Sequence, residues 1–133
     1  MTDPPKSEAP PLVVIVAEDE PLLRTLAVET LTEEGFVTIE VSNAAEALAA
    51  CKAQPEAVDV LFTDIRMPGS MDGLELAYKV RERWPWIPVL LASGNIFLNR
   101  RELPEGARFL PKPYDMRCVV GLLRELSATI RDN

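Results

Sequence analysis

The stretch Leu12-Val13-Val14-Ile15-Val16-Ala17 is apolar and largely β-branched without a break, and it stops abruptly at Glu18-Asp19-Glu20. A strand with one wet face alternates apolar and polar residues, whereas an unbroken run belongs to a strand covered on both faces. Val58 to Thr63, stopping at Asp64, and Ile87 to Ala92, stopping at Ser93-Gly94, are predominantly apolar in the same way, interrupted only by Asp59 and Pro88. Shorter runs at Phe36 to Val41 and Ala107 to Leu110 complete a set of five predicted strands.

The segments between them carry helical spacing. Pro21 suits the first turn of a helix, where its missing N–H costs nothing. Leu22, Leu23, Leu26, Ala27, Thr30 and Leu31 then recur at helical intervals until Gly35. Ser42 or Asn43 caps a second helix bearing Ala47, Leu48 and Cys51, with Pro55 beyond its end. Leu74, Leu76, Ala77 and Val80 mark a third, running to Trp84-Pro85. In Asn95 to Gly106, residues Ile96, Phe97, Leu98 and Leu103 allow one or two turns, which Pro104 and Gly106 curtail. Three consecutive apolar residues on so short a helix cannot all face inward, so one of Ile96 to Leu98 is a candidate partner contact. Asp115 caps a last helix whose expected buried stripe is Cys118, Val119, Leu122, Leu123, Leu126 and Ile130. Five strands alternating with five helices predict an α/β fold. Its form is a doubly wound, five-stranded parallel sheet of flavodoxin-like order 2-1-3-4-5, with helices on both faces.

Residues 1–11 hold four prolines and no apolar stretch, so they are expected to be a disordered tail. Residues 12–131 are expected to form one domain. The net charge of −7 argues against a nucleic-acid partner, because phosphate backbones would be repelled. With no histidine in the chain, Ser-His-Asp and Cys-His catalysis and His-ligated zinc are excluded. Cys51 and Cys118 are far apart, form no CxxC, and are expected to be buried, inert thiols. No run approaches a membrane span, and no targeting segment is visible, so a cytoplasmic location is expected.

In sheets of this kind ligands bind outside the carboxyl ends of the strands, at the switch point between strands 1 and 3. Strand 1 stops at Glu18-Asp19, strand 3 at Asp64 and strand 4 at Ser93, and strand 5 is followed by Pro111-Lys112-Pro113. Each has a plainer reading alone: a helix-favouring acidic trio, a turn aspartate, a Ser-Gly turn, a solvated lysine. Gathered at one edge they make a site. Three close carboxylates repel one another unless a cation joins them, and their oxygens suit Mg²⁺ or Mn²⁺. A carboxylate beside such an ion can attack a phosphoryl group, and Asp64, on the central strand, is the candidate nucleophile. Lys112 and Ser93 can meet phosphoryl oxygens. A flavin-phosphate site is disfavoured, since Glu18-Asp19-Glu20 would repel a phosphate. A phosphatase of the Asp-x-Asp type is disfavoured because Pro21 stands two past Asp19.

With these residues in order, the chain resembles the receiver domain of two-component response regulators. The matching pieces are Glu18-Asp19, Asp64 before Met67-Pro68 and Asp72-Gly73, Ser93, and Lys112-Pro113. The resemblance implies a response regulator phosphorylated on Asp64 by a histidine kinase or histidine phosphotransfer protein; with no output domain after Ile130, a stand-alone receiver is expected, with a downstream partner protein as output. It implies Mg²⁺ held by Asp19, Asp64 and the backbone carbonyl of Arg66, with Glu18 acting through water. It further implies that Ser93 swings toward the phosphoryl group while Phe109, at the family's switch-aromatic position, turns inward. Arg66 and Asn95 stand where the family tunes dephosphorylation. The only catalysis implied is self-phosphorylation and autodephosphorylation of Asp64. A receiver-like module that docks partners without phosphate is the rival reading. The loop Met67 to Gly73 is one residue longer than the family's usual spacing, the segment from Ser93 to Lys112 a few shorter, and the Lys112-Pro113 bond is often cis in that family.

Overall fold

The computed structural model describes residues 10–94 and 103–131. Strands β1 (Val13–Ala17), β2 (Val37–Val41), β3 (Val60–Asp64), β4 (Val89–Ser93) and β5 (Ala107–Pro111) form one sheet of order β2-β1-β3-β4-β5. Every neighbouring pair is parallel. The helices are α1 (Pro21–Glu33), α2 (Ala44–Ala53), α3 (Gly73–Arg83) and α4 (Met116–Arg131), with a short 3₁₀ turn at Pro55–Ala57. The expected doubly wound α/β sheet, with its expected strand order, is what forms.

Successive residues of a strand point to opposite faces, and the core divides accordingly. Val14 and Val16 of β1, with Val60, Phe62, Leu90 and Ala92, pack beneath Ala27 and Leu31 of α1 and Val119 and Leu123 of α4. Ile15 and Ala17, with Leu61, Val89 and Leu91, pack beneath Ala47 and Cys51 of α2 and Leu76, Ala77 and Val80 of α3. Unbroken apolar strands were needed because both faces are covered.

Local chemistry sets the boundaries. Asn43, rather than Ser42, caps α2 by accepting from the Glu46 amide at 2.8 Å, and Glu46 accepts back from Ser42. Asp72 and Glu75 close a reciprocal capping box at the start of α3. Gly35, at φ 96°, supplies the left-handed residue that turns the chain from α1 into β2. Pro88 has no N–H for the ladder, so β4 begins at Val89 and runs one residue further than expected, taking in Ser93.

Three expectations need correction. Of five expected helices, four are found among the described residues. The other fell on Asn95 to Gly106, where Leu103 to Gly106 form a bend and a turn; Asn95 to Glu102 lie outside the described residues, with Ile96, Phe97 and Leu98 among them. So do residues 1–9 of the expected tail and the side chain of Ile130. Cys118 is exposed, while Cys51 is buried and its thiol is pushed up to about 11 by that burial. The buried stripe of α4 runs through Val119, Val120, Leu123, Leu126 and Ser127, which turns Cys118 outward. On α1 only Ala27 and Leu31 are buried; Leu22, Leu23 and Leu26 face outward at 79%, 44% and 54% exposure.

Candidate functional site

The residues at the carboxyl edge converge. Glu18, the first residue past β1, is buried, with its amide donating to the Val41 carbonyl at 3.1 Å. Its Oε2 accepts from the Glu20 amide at 3.0 Å, which aims the carboxylate across the sheet edge. Asp64 closes β3 and is also buried; Asp19 is exposed at the rim. One carboxylate oxygen from each of Glu18, Asp19 and Asp64 falls within 4.8 Å of the others. Among the described residues this is the one such acidic group.

Lys112 reaches into the cluster from the far side. Its amide donates to the Ser93 carbonyl at 2.9 Å, so the edge of β4 fixes where the side chain starts. The Lys112–Pro113 peptide is cis. The ammonium lies 2.9 Å from Asp64 Oδ1 and 3.9 Å from Glu18 Oε1. Ser93 is buried at the end of β4, next to Asp64's neighbour in register, Ala92. Arg66 stands exposed in the loop after β3, and Phe109 lies half-buried in β5, opposite Leu91. Asn95 is outside the described residues.

Burial drives the electrostatics. It raises the Asp64 carboxyl above its ordinary value, against the bond and charge of Lys112, and Asp19 adds to the rise. Burial likewise raises Glu18, partly offset by the Glu20 amide. For Lys112 burial alone would lower the ammonium, but its bond to Asp64 and the charges of Asp64 and Glu18 outweigh that and hold it above its ordinary value. Three carboxylates facing one ammonium leave a surplus of two negative charges, which a single divalent cation neutralises. The donors are hard carboxylate oxygens, the set that Mg²⁺ takes, and the rim at Asp19 is open to water to complete an octahedron. The residues present therefore fit such an ion.

Two residues of this region, Tyr114 and Arg24, escaped the sequence reading, and Gly73 entered it only as a loop and motif residue. Tyr114 packs its ring edge-on against Phe62, centroids 5.9 Å apart, and lines a cavity of about 10 Å³ with Glu18, Leu23 and Asp64. Its only signal was its place two past Lys112. Gly73 packs its Cα against the backbone of Asp64; a Cβ there would collide with the Asp64 carbonyl oxygen and lie 2.9 Å from its carbon. The Gly73 amide also donates to the Ile65 carbonyl at 2.8 Å. The lengthened loop thus still closes onto β3, with Gly69 at φ 109° making the additional turn. Arg24 carried no sequence signal at all.

The model of the response regulator receiver domain matches residues 14–124. The chain belongs to the response regulator receiver domain family. Over 114 residues it is 34% identical to the DNA-binding transcriptional regulator NtrC of Escherichia coli (strain K12), a match covering 84% of this chain and 24% of NtrC. It is 33% identical over 117 residues to the transcriptional regulatory protein TcrA of Mycobacterium tuberculosis (strain ATCC 25618 / H37Rv), covering 86% of this chain and 45% of TcrA. The receiver thus spans about a quarter to a half of these curated relatives. Among solved structures, a response regulator receiver protein from Sinorhizobium medicae WSM419 superposes with a TM-score of 0.83 at 28% identity, covering 90% of this chain and 97% of that one. The receiver domain of the hybrid histidine kinase CckA gives a TM-score of 0.74 at 29% identity, covering 86% and 98%. This receiver is a component of two-component signalling. No helix among its described residues is long and apolar enough to cross a membrane.

Proposed function

We propose that this receiver accepts a phosphoryl group on Asp64 in a Mg²⁺-dependent reaction and passes the signal on by a change of shape. The observation that carries the reading is the Lys112 ammonium 2.9 Å from Asp64 Oδ1, beside two further carboxylates. Asp19 and Asp64, with the Arg66 carbonyl, would hold the ion, and Glu18 would reach it through water. When bound, the ion offsets the charge of the incoming phosphoryl oxygens. Asp64 supplies the carboxylate oxygen that forms the new P–O bond, while the donor's P–N bond breaks and its electron pair stays with the departing imidazole. Lys112 exchanges its carboxylate partner for a phosphoryl oxygen, and the Ser93 hydroxyl donates to another. Ser93 moving across then frees space into which Phe109 turns.

The phosphodonor in this reading is a histidine kinase or a histidine phosphotransfer protein, and the output is a partner protein. A donor must bring its phosphoryl group to the pocket mouth. Leu23 lines the same cavity as Asp64, and Leu22 and Leu26 lie exposed beside it on α1, an apolar seat for the donor. A cytoplasmic setting follows from such a donor.

The test is mass spectrometry after incubation with Mg²⁺ and acetyl phosphate. One phosphoryl mass gain, mapped to Asp64 and lost in Asp64→Ala or on chelation, is the expected result. Equal uptake by Asp64→Ala would overturn the assignment, and no uptake by the wild type would favour phosphate-independent docking.

A further inference from the structure

Arg24 sits one turn into α1, and nothing in the chemistry above uses it. Its Nη1 donates to the carbonyl oxygen of Glu18 at 2.8 Å. Its Nε lies 3.4 Å from Oε1 of Glu40, near the end of β2. The Arg24 side chain is only 22% exposed. One guanidinium therefore ties three elements together: the loop that carries Glu18 and Asp19, the helix that follows it, and the neighbouring strand. A planar fork with fixed donor directions is suited to this; a lysine has one charged tip and cannot hold both partners in the same way.

We propose that Arg24 is a positioning residue for divalent-cation binding, fixing the Glu18 carbonyl so that the acidic doublet stays aimed at Asp64. The inference rests on the reading that the acidic pocket holds a divalent ion. Glu18 is already fixed at its amide by Val41 and at its carboxylate by the Glu20 amide. Arg24 adds the hold on its carbonyl, the link in the chain that leads directly into Asp19. The sign of the effect separates positioning from charge. Arg24 is a cation next to a cation site, so on charge alone its removal would tighten metal binding. On positioning, its removal loosens the ligands and weakens binding.

The experiment is calorimetric titration of the whole chain with Mg²⁺, with folding of each variant checked by circular dichroism in chelator. Arg24→Met is expected to bind about tenfold more weakly, the scale seen when groups that orient metal ligands are removed. Arg24→Lys, which keeps the charge, is expected to fall between Arg24→Met and wild type, and Glu40→Gln to weaken binding less than either. Binding by Arg24→Met as tight as wild type, or tighter, would overturn the proposal. If Arg24→Met does not fold, Arg24→Lys decides, and wild-type affinity in that variant overturns it. Asp19→Asn separates the two readings: if wild type binds Mg²⁺ no better than Asp19→Asn, the acidic pocket is not the cation site, and the role of Arg24 falls with it.

Discussion

β3 and β5 both deliver a residue to the acidic pocket, and they are built on opposite plans. Every residue of β3 is buried, between two neighbouring strands and two layers of helix. β5 is an edge strand in which no residue is fully buried. Asp64 therefore stands at the end of a fully buried interior strand, while Phe109 lies in, and Lys112 directly follows, a strand with one neighbour. Regions with fewer buried contacts open at lower free-energy cost. The comparison teaches that the proposed acceptor is fixed, as is Ser93 at the end of buried β4, whereas Lys112 and Phe109 lie where the sheet yields more readily.

The strongest way to break that contrast is truncation of one core residue in each strand. Leu61, fully buried in β3, is expected to cost about 2–5 kcal/mol on replacement by alanine, through lost transfer energy and an unfilled cavity. Leu110, half-buried in β5, is expected to cost about 1 kcal/mol. Urea unfolding of the two variants measures both. Equal costs would mean that the edge strand is held as firmly as the centre.

Gly73→Ala probes the fixed side of the contrast from outside the strand. The new methyl group meets the Asp64 carbonyl and the Ile65 Cα, both backbone, so no rotamer change can relieve it. Overpacking of this kind costs about 1–3 kcal/mol. Because the displaced group is the backbone of Asp64, the same variant is expected to lose phosphoryl uptake from acetyl phosphate. A stable variant with full uptake would show that Asp64 tolerates movement.

Much of this architecture could be read from the sequence, for a physical reason. Strands covered on both faces leave unbroken apolar runs, so Val14 to Ala17 and Leu61 to Thr63 marked themselves, and the polar residues that stop them marked the sheet edge. What stayed hidden depends on contacts between distant segments. Gly73 reads as a turn glycine until the Asp64 carbonyl is seen against it. Arg24 reads as a solvated helix arginine until Glu18 and Glu40 are seen on either side. Cys118 and Leu22 sit at apolar helical spacing, but which side of a helix faces the sheet is fixed by packing. α1 presents Leu22 and Leu26 outward because its buried stripe, Ala27 and Leu31, already meets the sheet.

The pH dependence tests the pocket to which the carboxyl ends of both strands lead. Burial raises Glu18 and Asp64 above their ordinary values of 4.5 and 3.8. A raised carboxyl holds its proton more tightly in the folded state. Its contribution to folding is thus fully present below the ordinary value and lost as pH rises through the folded one. Lys112, raised above its ordinary 10.5, keeps its contribution through neutrality and loses it only as pH rises through its own folded value. Metal-free protein is therefore expected to lose the carboxyl contribution as pH rises above those ordinary values and through the raised ones. In the proposed reading Mg²⁺ binds the ionised forms, so its stabilisation is expected to grow over the same range, reaching about 1.4 kcal/mol at tenfold excess over Kd. Thermal unfolding with and without Mg²⁺ at several pH values measures this. A Mg²⁺ effect that does not change with pH would mean that the ion binds away from these carboxyls.

The smallest expected effect sharpens the description of β5 itself. Arg108 projects from the second position of that strand and pairs with Glu125 of α4 at 3.2 Å, the two side chains 50% and 64% exposed. An exposed pair gains little, because water screens the attraction and two long side chains must be held in one geometry. Arg108→Ala is therefore expected to change stability by less than about 0.5 kcal/mol, within reach of careful urea titrations run in parallel with Leu110→Ala. If Arg108→Ala cost as much as Leu110→Ala, β5 would be fastened to α4 by its outer pair as much as by its apolar face. Phe109 and the Lys112 that follows it would then be anchored from outside the sheet, and the yielding edge would have to be sought elsewhere along the chain.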